Sequence, residues 1–267
     1  MNKNFERIEW EVSVDVWHVI GNGPGELDLS HNEKIVRFNQ PFIENERMCL
    51  TITNSKVAGL KKGMLIQGTP PGVCFTERLA MNNRELEAHL GCKPSLGLLT
   101  IKTMLEYDVS VKVHRMALLP SLIRPQEYSE RKALPAAYHN WLGERRLAQS
   151  LLDVRLIWPE FVLREPDKGS TDVVPDFSVL RELPNLPRDE AGKLWEKFSN
   201  VHYHVWLEQA DHEKLKSVES LFYISRDSDV TLNWWMYDNQ LSFIVSRLQK
   251  TLAFVQQVIC LQSGVKV

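Results

Sequence analysis

Val16-Trp17-His18-Val19-Ile20-Gly21-Asn22-Gly23-Pro24-Gly25 decides the reading of this chain, because an apolar run of strand character stops abruptly in glycines and a proline. A strand that runs into such a turn brings bare backbone N–H groups to its carboxyl end, where phosphate and nucleotide ligands sit in α/β sheets. After a polar gap, Lys34-Ile35-Val36-Arg37-Phe38-Asn39-Gln40 repeats the pattern. The first expectation is therefore a nucleotide or nucleotide-sugar site.

The turn is not a dinucleotide fingerprint. That motif needs a third glycine three positions after the second, and an acidic residue about twenty positions further on to hold the ribose. Here Gly25 follows Gly23 too closely, and the second strand ends in Arg37-Phe38-Asn39 without a carboxylate. Instead, Asn22, Asn39 and Asn54 each fall at the end of an expected strand, which gathers three amides along one sheet edge. An amide donates to phosphate or ribose and accepts from a base without adding charge. Asparagine also ends strands for purely local backbone reasons, so these residues alone leave both readings open.

Working outward, the expected strands are Val12 to Ile20, Glu33 to Phe38 and Met48 to Thr53. Leu79 to Leu90 has helical spacing, and Leu98, Ile101 and Leu105 stripe a helix opened by Pro94-Ser95-Leu96-Gly97, with Ser95 as its cap. Val109, Val111 and Val113 then alternate with polar residues. A helix feeding such a strand is the crossover of a parallel unit. The fold class expected is α/β, with a mostly parallel, Rossmann-like sheet flanked by helices over residues 1–150.

Residues 151–267 read as a proline-rich connection followed by a mixed α/β, helix-rich extension. Five prolines between Pro159 and Pro187 prevent long helices. Glu190 to Phe198 reads as a helix and Val201 to Trp206 as a strand. Leu241, Ile244, Leu248, Leu252, Val255 and Ile259 stripe a closing helix.

Composition narrows the function. The 267 residues are 43% hydrophobic and 25% charged, with a net charge of −2, so nothing in the charge balance favours nucleic acid or an anionic membrane. No run of about 18 apolar residues is present, and the stretch from Met1 to Arg7 lacks a signal-peptide core, so a cytoplasmic protein without a transmembrane segment is expected. Cys49, Cys74, Cys92 and Cys260 lie far apart without a C-x-x-C pair and read as buried thiols.

Three stretches together resemble a known family. Val19-Ile20-Gly21-Asn22-Gly23-Pro24 with Val36-Arg37-Phe38-Asn39-Gln40 resembles the large motif of animal and bacterial sialyltransferases, a Gly-Asn-(Gly/Ser) turn before a strand ending in Arg-x-Asn. Pro94-Ser95-Leu96-Gly97, with the helix and strand after it, is similar to the small motif. His139-Asn140-Trp141-Leu142-Gly143-Glu144 matches the His-x4-Glu motif, and all three keep the family's order. Thr53-Asn54-Ser55 resembles a strand-end asparagine that touches the donor in the bacterial enzymes. The likeness covers residues 14–146. It departs at Leu96, where the family has a hydroxyl residue, and it lacks the cysteines that pair the motifs in animal enzymes.

The resemblance implies an inverting, metal-independent transfer of a sugar from a CMP-activated donor to a hydroxyl on a glycan or small-molecule acceptor. His139 would be the base, since an imidazole near its ordinary pKa of about 6.5 is neutral at pH 7 yet accepts a proton. Glu144, about one helical turn away, would orient the ring. Gly21, Asn22, Gly23, Arg37, Asn39, Asn54, Ser95 and Gly97 would hold the donor, with Tyr128 and Tyr138 as approximate phosphate contacts. Leu96 favours an alternative, an accessory protein that keeps the fold and binds nucleotide or sugar without transfer. A further alternative is a metal-dependent transferase using Asp227-Ser228-Asp229, although this pair lies near the end of the chain. His202-x-His204 would place two imidazoles on one strand face, but no third ligand completes a metal site.

Overall fold

The computed structural model describes residues 15–27, 29, 33–42, 48–119, 135–166, 169, 173–224, 235 and 238–263. Its sheet contains β1 (Val16–Ile20), β2 (Lys34–Phe38), β3 (Cys49–Asn54), β4 (Met64–Gln67), β5 (Ser110–His114) and β6 (Leu156–Ile157), in the order β4-β3-β2-β1-β5-β6. All neighbours are parallel except the β3–β4 pair at one edge. The expectation of an α/β fold with a mostly parallel sheet is met at that level. The described parts of the β1–β2 and β2–β3 connections carry no helix.

Strand side chains alternate between faces. Val19, Val36, Leu50, Ile52, Val111 and Val113 all enter one buried core, completed by α1 (Phe75–Leu90) and α2 (Leu96–Met104) through Phe75, Leu79, Leu98 and Ile101. Each such aliphatic side chain removed from water contributes roughly 1.5–3 kcal/mol. α1 begins earlier than the sequence suggests, at a Cys74 cap with left-handed backbone (φ 58), and ends at Gly91 in the same region. Cys49, Cys92 and Cys260 are buried as expected, but Cys74 is exposed because its cap position faces solvent.

The second core is helical. α3 (Trp141–Gln149), α4 (Phe177–Glu182), α5 (Arg188–Ser199), α6 (Tyr203–Gln209), α7 (His212–Ser217) and the 24-residue α8 (Asn239–Gln262) supply Leu142, Phe177, Trp195, Trp206, Leu215, Leu248 and Leu252 to it. The closing helix is thus present, started by Asp238, whose Oδ1 accepts from the N–H groups of Gln240 and Leu241 at 2.9 and 3.0 Å. Residues 201–206 are not the expected strand. The His202 imidazole caps α6, with Nδ1 accepting from the His204 N–H at 3.2 Å, and burial of Trp206 between Phe177 and Phe198 selects the helix over local strand propensity.

α3 joins the two cores. Arg145, fully buried, donates to the carbonyls of Ala117 (2.7 Å) and Phe161 (2.6 Å) and reaches Gln257 of α8. Gln256 donates to the Leu142 carbonyl at 3.2 Å. Burial presses the Arg145 guanidinium down to about 9.

Candidate functional site

The sheet order reverses at β1. From β1 the chain moves outward through β2 and β3 to β4, then crosses back through α1 and α2 to β5 on the other side. At such a reversal the two loops leaving adjacent strands diverge and open a crevice at the carboxyl ends. Here the loops after β1 and β5 are stitched to each other. The Gly21 N–H donates to the His114 carbonyl at 2.8 Å and the Gly23 N–H to the Arg115 carbonyl at 3.1 Å. Arg115 Nε returns a bond to the Gly23 carbonyl at 2.6 Å. A Cβ on Gly21 or Gly23 would lie 2.4 or 2.5 Å from the Arg115 oxygen, so glycine is required for a close approach, and the approaching group is protein backbone.

The three asparagines do gather at the carboxyl ends of β1, β2 and β3, and they link those ends together. Asn22 Nδ2 donates to the Phe38 carbonyl (3.3 Å), Asn39 Oδ1 accepts from the Asn54 N–H (3.0 Å), and Asn54 Oδ1 accepts from the Val57 N–H (3.0 Å). Asn39 takes left-handed backbone, φ 55, which an asparagine side chain tolerates better than most. Arg37 donates to Thr51 Oγ1 at 3.4 Å and to the Pro41 carbonyl at 3.3 Å.

The closest meeting of expected residues lies at the start of α2, beside the loop after β5. Ser95 caps α2 in extended backbone, its Oγ accepting from the Leu98 N–H at 3.3 Å. The same residue binds Glu144 twice, through its N–H to Oε1 (2.7 Å) and its hydroxyl to Oε2 (2.5 Å). Glu144 is fully buried, and burial outweighs those two bonds, raising its carboxyl to about 7. It therefore holds its proton more tightly than an exposed carboxyl does.

His139 stands just outside α3, which Asn140 caps by accepting from the Gly143 N–H at 2.9 Å. Its Nδ1 is 3.3 Å from the Lys93 carbonyl and 3.7 Å from Glu144 Oε1. A carbonyl only accepts, so this contact places the proton on Nδ1 and the basic lone pair on Nε2. The ring is partly exposed and tilted against Trp141. Thus the Lys93 carbonyl is the nearer orienting group, while Glu144 spends its short bonds on Ser95.

Gly97 is the contact between α2 and the loop after β5. A Cβ there would lie 2.4 Å from the Met116 methyl. Behind His139, Glu219 binds Arg146 through both oxygens (2.7 and 3.1 Å) and accepts from Asn140 Nδ2 at 3.0 Å, which fixes the start of α3. The sequence reading did not find Glu219, Arg115 or the His18–His114 contact described below. Tyr138 is exposed. Tyr128, Asp227 and Asp229 lie outside the described residues. Among the described residues no group of three or more His, Cys, Asp or Glu is arranged to hold a metal, and no helix is long and apolar enough to cross a membrane.

No family model matches the chain, and searches of curated proteins and of solved structures find no match.

Proposed function

We propose that this protein is a sialyltransferase-like, inverting glycosyltransferase with a Rossmann-like nucleotide-sugar site, acting in the cytoplasm on a CMP-activated donor. The observation that carries the reading is the double bond from Ser95 to Glu144. It joins the Pro94–Gly97 turn to the His139–Glu144 segment, 49 positions away, close to the carboxyl ends of β1 and β5. Two of the three motif-like stretches are thereby adjacent, and the third, Gly21 to Gly23, adjoins them through Arg115 and Met116.

In this mechanism the acceptor hydroxyl attacks the anomeric carbon while its proton passes to His139 Nε2. The bond from the anomeric carbon to the phosphate oxygen breaks, and CMP leaves with the electron pair. The Lys93 carbonyl holds the required tautomer. Glu144 serves as a positioning residue that ties the base segment to the cap of α2. Asn22, Asn39, Asn54 and Arg37 supply polar groups on the donor side.

A second reading is favoured by Leu96 and by the bonds that commit the Gly21 and Gly23 N–H groups to the His114 and Arg115 carbonyls. In it the protein binds nucleotide or sugar without transferring it. Thermal unfolding with CMP, UMP and GDP addresses both readings, since a ligand at a hundred times its Kd stabilises by about 2.7 kcal/mol. CMP should raise the Tm, and no shift with any of the three removes both readings. If CMP binds, H139A should leave that shift intact and abolish transfer and donor hydrolysis. Unchanged turnover in H139A refutes the base, and absence of turnover in the wild type with CMP-sugars selects the binding protein.

A further inference from the structure

Two histidines meet at the centre of the sheet, on the face opposite the core that contains Val19, Val111 and Val113. His18 on β1 and His114 on β5 are offset by two residues in register, with His18 opposite Lys112 and Ile20 opposite His114. Their rings are nearly parallel (10°), with centroids 5.1 Å apart, and His18 Nδ1 lies 3.0 Å from His114 Nε2. A nitrogen-to-nitrogen contact of that length needs one donor and one acceptor, so one proton sits between the rings and at least one ring is neutral. The outer nitrogen of His18, Nε2, is 3.8 Å from Glu33 Oε1. His18 is 5% exposed, so water cannot screen a second charge there effectively.

We infer that His18 and His114 form a single proton-sharing unit that acts as an acid-sensitive latch on the seam between β1 and β5. In its latched state the pair holds the shared proton, and Glu33 faces the far side of His18. A second proton removes the acceptor and sets two imidazolium rings against each other, with Lys112 as a further cation on the same strand face. The charged groups around the pair are Glu33 just before β2, Lys112 on β5 and Arg37 further along β2, with Glu160 accepting from the Arg115 N–H at 3.0 Å beyond His114. Burial holds the His18 imidazole below its ordinary value, with His114 and Lys112 acting in the same direction and Glu33 against them. The seam leads directly into the bond from the Gly21 N–H to the His114 carbonyl and the mutual bonds of Gly23 and Arg115, which join the loops after β1 and β5. Acid therefore acts on the same pair of loops that border the candidate site.

The test is an NMR titration of the imidazole nitrogens in the intact wild-type chain, combined with urea unfolding across pH 5–8. The two rings should titrate together rather than independently, with His18 protonating less readily than a free imidazole. The pair's own contribution to stability, opposite in sign to that of Glu144, should fall as pH drops below the ordinary histidine pKa of about 6.5. H18Q and H114Q should each flatten that dependence, and the double variant should flatten it no further. Independent titration of both rings near their ordinary value would overturn the inference even if neither variant folds. Parallel stability curves for wild type and variants would overturn it as well.

Discussion

Replacing Glu144 by Gln tests the Ser95 lock most directly. The carboxyl rises from 4.5 to about 7 on burial, so the folded protein holds this proton more tightly than the unfolded chain does. At about 1.4 kcal/mol for each tenfold change in affinity, the difference is worth roughly 3 kcal/mol. The sign follows from linkage: a raised folded value gives a contribution fully present below about pH 4.5, and it is lost as pH climbs through about 7. Glutamine resembles the protonated acid in shape. Its oxygen accepts from the Ser95 N–H and its NH2 group faces the Ser95 hydroxyl, but it carries no charge at any pH. Urea unfolding should therefore find wild type and E144Q similar at pH 4.5, with the variant gaining on wild type up to roughly 3 kcal/mol by pH 8.5. A gap that stays constant with pH, or that favours wild type under alkaline conditions, would refute the account of Glu144 as a buried, reluctant acid.

Other substitutions probe the frame around it. G21A drives a Cβ to within 2.4 Å of a backbone oxygen and should cost about 2–4 kcal/mol in denaturant unfolding, with loss of protection at the Gly21 amide in hydrogen exchange. G192A should do the opposite, since nothing lies within 4 Å of that position on α5. A gain of about 0.5–1 kcal/mol from helix propensity is expected in the same assay. E219A strips partly exposed Arg146 and buried Asn140 of their shared partner and should cost about 1–3 kcal/mol, whereas E219Q, which keeps one acceptor, should cost less.

The strands β1, β2, β3 and β5 were legible because each is a buried apolar run ended by Gly or Asn, or alternates cleanly. β4 was not, because Met64 to Gln67 is a four-residue edge strand with no fully buried position, and β6 has only two residues. The helix α6 was misread because Val201 to Trp206 is rich in β-branched and aromatic residues, and only the long-range burial of Trp206 overrides that local preference. At the site, Ser95 was recognisable as a cap from its Pro-Ser-x-Gly setting. Its bond to Glu144 was not, since no local pattern encodes a contact across 49 residues. Likewise the glycines announced a close approach without saying what approaches. The His18–His114 contact depends on parallel register between β1 and β5, which neither strand specifies alone.

The bonds from Gln256 and Gln257 back to α3 have a consequence during synthesis. Residues up to β5 emerge from the ribosome early, and the sheet can begin to assemble on its own hydrophobic face. The segment bearing His139 precedes α8 by about a hundred residues, yet Leu142 and Arg145 reach their bonding partners on α8 only when the final turns of that helix have been made. A nascent or prematurely stopped polypeptide would thus carry every motif-like stretch and still lack the brace that sets its imidazole in place.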